Sequence, residues 1–515
     1  MNEVKQGPEI SPANAPQGEP PKSGPEKSGG PKVHSVRYNF LMNFILTASQ
    51  FLFPLITFPY VSRILHLTGN GKVAFAVSVV SYFMMVASLG IPTHGIRACA
   101  QVRDDREALS RTVFELFVIN SVTTLIMTVA YVASVFLVPR FRTETPLFLI
   151  FTANIVLNLF GMNWLYQALE QYDYITFRSI FFKLASIVLM FLFVHEEKDY
   201  VLYGAITVFA AAGSNVLNFI RARRFIDFGI YRNCNYRRHF RPILVLFAQS
   251  LAISIYTNLD RVMLGFMKTD RDVGIYDAAV KIKNILVSLV TSFGNVLLPR
   301  MSYYLKEGRT AEYKQLAARA LNATLLMSLP LSAFMILFAR DALIFISGAE
   351  YAVAAVPMQL LTFSTIFIGL TGVLGIQVLV SQGKEQYVLY SVVTGAVVDF
   401  VLNLILIPKY AAAGAAVATM VAEICVLAVQ LFFTRDLLLE VRRKFRLPFY
   451  LLATAIGLAG AVPVFLFFDS RPFFRLLLGA LAFFGLYGVT LLLLKDPDVY
   501  EILNTVRGRL SRKKA

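Results

Sequence analysis

The chain is poor in the residues that soluble catalysis and metal chemistry need. Its 515 residues include 3 cysteines, 5 histidines and 1 tryptophan, and only 16% are charged. Cys99, Cys234 and Cys425 stand at no ligand or disulfide spacing and the histidines are as scattered, so nothing in the sequence points to a metal. It has no Gly-x-Ser-x-Gly turn and no Ser/His/Asp order for a hydrolase. A Gly-x-x-x-x-Gly-Lys-Ser/Thr loop is missing too, which leaves any pumping to an ion gradient or to the substrate's own gradient. No cofactor is expected.

What fills the chain is apolar. Hydrophobic residues make up 57% of it and the mean hydropathy is +0.61. Crossing a hydrocarbon core of roughly 30 Å takes about 20 mostly apolar residues. Fourteen runs of that size are predicted, near 38–62, 73–94, 112–138, 146–168, 175–194, 201–220, 242–267, 274–298, 316–339, 356–380, 387–407, 411–434, 448–468 and 473–494. Runs such as 451–468 are apolar all round, which excludes a soluble helical bundle with a polar exterior. Residues 1–36 hold seven of the 21 prolines and almost no large apolar side chain; they read as a disordered cytoplasmic tail with neither a signal-peptide core nor a lipidation signal.

A net charge of +17 raises nucleic acid as a partner, and the placement of the charge argues against it. With the N-terminus inside, 34 of the 49 Lys and Arg fall in the tail and inner segments, 11 in outer loops, and Lys183, Arg261, Lys281 and Lys283 within spans. That asymmetry predicts both termini in the cytoplasm.

An internal repeat sets YVSRILHL (60–67) beside NLDRVMLG (258–265), and ASLGIPTHGIR (87–97) beside TSFGNVLLPR (291–300), with Gly90 against Gly294. Six spans per repeat is an even number, so the repeat is parallel. The expected architecture is all-α and integral to the membrane: an N-terminal six-helix lobe at 37–228, a second at 229–440, a central cavity between them, two further transmembrane helices at 441–495 and a basic tail at 496–515. Polar stripes mark the cavity wall. Asp277, Lys281, Asn284, Ser288, Thr291 and Asn295 share one helix face, as do Ser250, Ser254, Thr257 and Arg261, and Asn39, Asn43, Gln50, Pro54 and Thr57. A charge at the bilayer centre costs at least ~2.5 kcal/mol, so it faces protein or water and marks a pathway. Asp277 and Lys281 are also an i,i+4 couple able to neutralise each other. Lys283 lies on the other face of its helix. Trp164, Tyr166, Tyr172 and Tyr174 read as an interfacial aromatic belt, and AAAGAAVAT around Gly414 as a close-packing motif.

The segments GNGKVAFAVSVVSYFMMVASLGIPTHGIR (69–97), MNWLYQALEQYDYITFRSIFFK (162–183), AISIYTNLDRVMLGFM (252–267), VGIYDAAVKIKNILVSLVTSFGNVLLPRMSYY (273–304) and LNLILIPKYAAAGAAVATMVAE (402–423) closely resemble the Wzx-type oligosaccharide flippases. Those belong to the superfamily of multidrug exporters and lipid II flippases, and the likeness runs from about 38 to 434. It implies a fourteen-helix fold and transport of an undecaprenyl-pyrophosphate-linked oligosaccharide repeat unit through a cationic lumen. Arg63, Arg97, Arg261, Lys281, Lys283 and Arg300 are the candidate cations, since guanidinium and ammonium groups bind pyrophosphate by charge-assisted hydrogen bonds. Asn39, Asn43, Asn284 and Ser288 suit sugars. Arg97 and Arg300 serve equally as positive-inside anchors, and Arg63 as a snorkelling end residue. Asp260, Asp277, Asp399 and Glu423 are candidates for coupling to an ion. Membrane lipids, a polysaccharide polymerase and a chain-length regulator are the further partners expected.

Two rivals share parts of this pattern: a cation-coupled small-molecule or multidrug antiporter on the same scaffold, and a membrane glycosyltransferase or polymerase. The enzyme reading is weakened by short outer loops that carry no acidic pair for acid and base. The topology has a direct test. Cysteines introduced in 1–36 and 500–515 should react with an impermeant maleimide only in permeabilised cells, and labelling of either end in intact cells would refute the orientation.

Overall fold

In an apolar solvent every backbone N–H and C=O must find its partner within the chain, which selects helices. The computed structural model describes residues 35–229, 233–292, 297–469, 471–497 and 499–500, and among these no residue is in a strand. The two terminal tails therefore fall largely outside the described residues, as do Gly294 and Asn295.

The chain begins with a 53-residue helix, α1 (Val36–Ser88), broken once at His66, where φ 54° and ψ −169° leave the helical region. The expected connection between the first two spans is thus a single-residue break. The face where α1 starts is called near here, and the face where it turns at His66 far. α2 (Ile91–Ala100) lies at the near face, and α3 (Arg106–Leu137) returns to the far one; Asp105 caps it by accepting from the backbone N–H groups of Glu107 and Ala108 at 3.0 and 3.1 Å. The short α4 (Pro139–Arg142), α5 (Thr145–Gly161), α6 (Asn163–Ala168), α7 (Tyr172–Phe193), α8 (Tyr200–Val208) and α9 (Asn215–Ala222) complete the first half.

The second half repeats the opening. In element order α10 (Arg237–Met267) and α11 (Asp270–Thr291) correspond to the two arms of α1, and the short α12 (Leu298–Lys306) and long α13 (Thr310–Leu337) follow as α2 and α3 do. α14 (Ala339–Ser347), α15 (Ala355–Thr371), α16 (Glu385–Val441), α17 (Leu447–Phe467) and α18 (Pro472–Leu493) finish the chain. Like α1, α16 breaks at one residue, Ala411 (φ 46°, ψ −126°).

Ten helical segments among the described residues are long and apolar enough to cross a membrane, against fourteen predicted runs. Two of the ten span 60 residues each and contain the breaks at His66 and Ala411, while α10 and α11 are absent from the ten. These two helices hold Asp260, Arg261, Asp277, Lys281 and Lys283. Large apolar side chains such as Leu125, Val129, Phe177, Phe181, Leu466 and Leu481 are exposed, as a lipid-facing surface requires.

The halves share a buried apolar seam toward the far face. The main buried cluster draws Leu67, Phe75, Ala76 and Val79 from one half and Val273, Tyr276, Ala278 and Ala279 from the other. The segment 340–355, expected as a loop, is helical and sits on this seam: Tyr351 is fully buried, its hydroxyl donates to His66 O at 2.9 Å, and Asn70 Nδ2 donates to the same hydroxyl at 3.0 Å. Arg140 adds an ion pair to Asp270 and donates to Gly265 O at 2.7 Å. At the near face α2 meets α10 through His94 Nε2 and His239 Nδ1, 2.8 Å apart, with His239 Nε2 2.8 Å from Glu115 Oε2 of α3.

Two glycines set how closely the far-face seam closes. A Cβ on Gly71 would lie 1.7 Å from Asp270 O, and one on Gly274 2.0 Å from Leu67 O. Gly274→Ala should therefore force α1 and α11 apart and cost about 1–3 kcal/mol or more, read as a lower melting temperature in detergent. Gly485→Ala is the matched control, because a Cβ there meets nothing within 4 Å. Equal melting temperatures for both variants would remove the close approach as a determinant.

Candidate functional site

One carboxylate organises the charged interior. Asp277, the eighth residue of α11 and buried, accepts from Arg261 Nε at 2.8 Å through Oδ1 and pairs with Lys281 Nζ at 2.8 Å through Oδ2. The i,i+4 spacing places Lys281 one turn along the same face, and Arg261 reaches across from α10. The ammonium of Lys281 also lies 4.2 Å from the centre of the Phe58 ring, a cation–π contact with α1. Two cations on one buried anion leave the group one positive charge in excess.

Lys281 opens on a cavity of ≈ 240 Å³ between the first arm of α1 and α11. Gln50, Pro54 and Phe58 line it from α1, Asn284 and Ile285 from α11, and Ile346 from the far-face segment. Among the lining residues only Lys281 is charged. The cavity thus pairs one ammonium and two amides with apolar walls, a composition able to hold an anionic group linked to hydroxyls.

Behind this cavity lies a second polar cluster. The Asn403 amide bridges two acids, donating to Asp260 Oδ1 at 2.6 Å and to Asp399 Oδ2 at 3.2 Å. The Tyr276 hydroxyl donates to Asp260 Oδ2, and Thr419 Oγ1 lies 2.9 Å from the same atom. Asp260, Asp399, Asn403 and Glu423 are all buried, and Lys283 lies within electrostatic reach of Glu423, Asp260 and Asp399. Asp399 Oδ1 and Asn403 Oδ1 have no donor among the described residues. Two carboxylates held side by side by one amide NH2 group form an acidic pair able to take up a proton or a small cation.

The other predicted site residues scatter. Arg63 is held at the far face, donating to Pro59 O at 2.9 Å and Phe345 O at 2.6 Å. Arg97 is exposed at the near face; Arg300 is exposed too and donates to the Tyr304 hydroxyl at 3.1 Å. Asn39 and Asn43 line a near-face pocket with Arg103 and Glu170, where Asn39 Nδ2 donates to Glu170 Oε2 at 3.3 Å. Ser288 Oγ donates to its own helix at Ile285 O, 2.7 Å away. Of the six candidate cations the structure brings together Arg261 and Lys281 on Asp277, with Lys283 facing the acids on the opposite side. The aromatic belt is corrected: Trp164 and Tyr166 are buried, Trp164 against Gly95 and Tyr166 with its hydroxyl on Asn218 O. Asn403, Thr419, Tyr276 and Phe58 were not singled out by the sequence. Asn403 had a signal, an amide one turn from Asp399 in an apolar run.

A helical bundle with this interior is a multi-span membrane transporter rather than an enzyme. Residues 36–305 match the family described as Polysaccharide biosynthesis protein, and 246–405 match MatE. The chain belongs to the polysaccharide biosynthesis protein family. It is 25% identical over 405 residues to the protein of Escherichia coli (strain K12) named "Putative O-antigen transporter", covering 78% of this chain and 97% of that one. A protein of the same name from Shigella dysenteriae is 21% identical over 76% of this chain and 98% of its own length. Among solved structures, the lipid II flippase MurJ in an inward closed conformation superposes with a TM-score of 0.70 at 15% identity, covering 89% of this chain and 100% of that one. At that identity the likeness speaks for the fold.

Proposed function

We propose that the chain is a flippase that moves an undecaprenyl-pyrophosphate-linked oligosaccharide repeat unit across the cytoplasmic membrane by alternating access. The carrying observation is the Arg261–Asp277–Lys281 group opening on a cavity lined by amides. A pyrophosphate arriving in that cavity competes with Asp277 for Lys281, and the low polarity of the walls strengthens the attraction. Gln50 and Asn284 are placed to hydrogen-bond the first sugar, and the exposed apolar sides of α17 and α18 suit the polyprenyl chain. The family match and the two relatives named for O-antigen transport support this substrate class. The distribution of basic residues supports a cytoplasmic position for both termini. A polysaccharide polymerase and a chain-length regulator are the partners this reading implies.

Lys281→Gln and Arg261→Ala should each stop surface glycan export while the protein stays inserted and abundant, and Lys281→Arg should keep more activity than Lys281→Gln. Normal export by both single-charge losses would take this pair out of the mechanism. Export that fails only for small cationic drugs would favour the antiporter reading.

Coupling belongs to the second cluster. A carrier's return step is biased by whatever binds one state better than the other, and the paired carboxylates of Asp260 and Asp399, held by the Asn403 amide, offer a proton or sodium ion such a site. Glu423 and Lys283 flank it. Asp260→Asn should abolish gradient-dependent flipping in proteoliposomes while substrate binding stays measurable. Equal wild-type transport after collapse of both the proton and the sodium gradients would return Asp260 to a structural role.

A further inference from the structure

The near face of the first half holds a cleft of different chemistry from the central cavity. It has a volume of ≈ 290 Å³ and sits where two helices break: α1 gives way to α2 at Leu89 (φ 47°), and α5 to α6 at Met162 (φ 41°). Discontinuous helices are where membrane carriers expose polar groups to a cargo. Ser88, Thr93, Asn120, Asn158, Asn163 and Gln167 line the cleft, with Trp164 as an apolar wall, and no lining residue is charged. A neighbouring pocket of ≈ 420 Å³ shares Ile96 and Gln167 with it and contains Asn39 and Asn43.

The amides are oriented rather than loose. Asn163 Oδ1 accepts from Arg178 Nη2 and from Asn218 Nδ2, each at 3.0 Å, which fixes the side carrying its NH2 group. Asn158 Nδ2 donates to Ser88 Oγ at 2.8 Å, leaving its carbonyl oxygen and the serine hydroxyl hydrogen for another partner. Asn120 is 7% exposed, lines the cleft, and its Oδ1 meets no donor among the described residues. A buried amide oxygen left without a donor is costly, and a hydroxyl or N-acetyl N–H supplied by a ligand removes that cost. Neutral amides and hydroxyls beside an aromatic wall match an uncharged carbohydrate, and no charged side chain lines the cleft to pair with a pyrophosphate.

We propose that this cleft is a subsite for uncharged sugar residues of the transported glycan, separate from the Lys281 cavity that takes the pyrophosphate. The inference rests on the flippase reading. The first arm of α1 links the pocket beside the cleft to the central cavity: Asn39 and Asn43 stand at that pocket and Gln50 and Pro54 at the cavity, about 16 Å along the helix from Asn39 to Gln50. A lipid-linked oligosaccharide would then be gripped at two points, charge at one and hydroxyls at the other.

Trp164 is the chain's only tryptophan, so its fluorescence reports on this cleft alone. The purified full-length protein is titrated with undecaprenyl pyrophosphate and with lipid-linked oligosaccharide extracted from a strain lacking the gene, and retention of each radiolabelled lipid is measured in parallel. The expected result is a saturable emission change with the glycan-bearing lipid and none with the bare one. Asn120→Leu and Gln167→Ala should each weaken the glycan-bearing titration roughly tenfold, while retention of bare undecaprenyl pyrophosphate is unaltered. Gln167→Ala, at the half-buried rim, keeps the test valid if Asn120→Leu does not elute as a monodisperse species. Equal emission changes with both lipids, no emission change with a retained glycan-bearing lipid, or unweakened titration in both variants would overturn the subsite. Retention of neither lipid would instead refute the flippase reading itself.

Discussion

A charge within an apolar bundle persists only where another group compensates it, and the interior of this protein is arranged by that requirement. Removing one partner from a buried pair leaves the other uncompensated at a cost of several kcal/mol. Asp277 meets the requirement for two cations at once, and the surplus positive charge that results is not lipid-facing but directed into a cavity. The acids behind it meet the same requirement differently, by sharing one amide, Asn403, between Asp260 and Asp399. Both solutions need helices from different parts of the chain to be held in fixed relation, which is what the dense seam between α1 and α11 provides.

That seam also makes the two faces unequal. Near the far face the halves interlock through Gly71 and Gly274, Tyr351 and the Arg140–Asp270 pair. Toward the near face the contact between halves passes through α2 and α10, and polar clefts open in the first half. The breaks at His66 and Ala411 are positions where rigid arms change direction without disturbing the helices on either side.

The all-helical, membrane-spanning character was legible because lipid imposes one demand on crossing segments, written locally as a run of apolar residues; α10 and α11, with their interior charges, fall outside the ten helices that meet it. The stripe on α11 was legible for the same reason, since i,i+4 spacing fixes which residues share a face: Lys281 and Asn284 do line one cavity. What escaped the sequence depends on distance along the chain. Asn403 and Thr419 reach Asp260 across 143 and 159 residues, and AAAGAAVAT was read as packing alone although its Thr419 belongs to the acid network. Gly414 does serve close approach, but to the backbone of Leu406 across the Ala411 break within the same helix. Trp164 and Tyr166 looked interfacial because they lie near a span end; they sit instead on α6, where α2 covers the indole with Gly95 making room for it and the Tyr166 hydroxyl turns to Asn218 O of α9.

The basic residues divide along the same line between what is local and what is not. Arg97 and Arg300 occupy equivalent places after the two arms of each half, and both stay exposed, as side chains do when nothing buried requires their charge. Arg63 is one turn from the far-face break and spends its donors on the carbonyls of Pro59 and Phe345, so it fastens α1 to α14 and is not presented to the cavity. Arg261 and Lys281 differ because Asp277 gives them an anion to converge on. The position of a single carboxylate, rather than the number of cations in the spans, therefore decides which positive charges converge beside the central cavity.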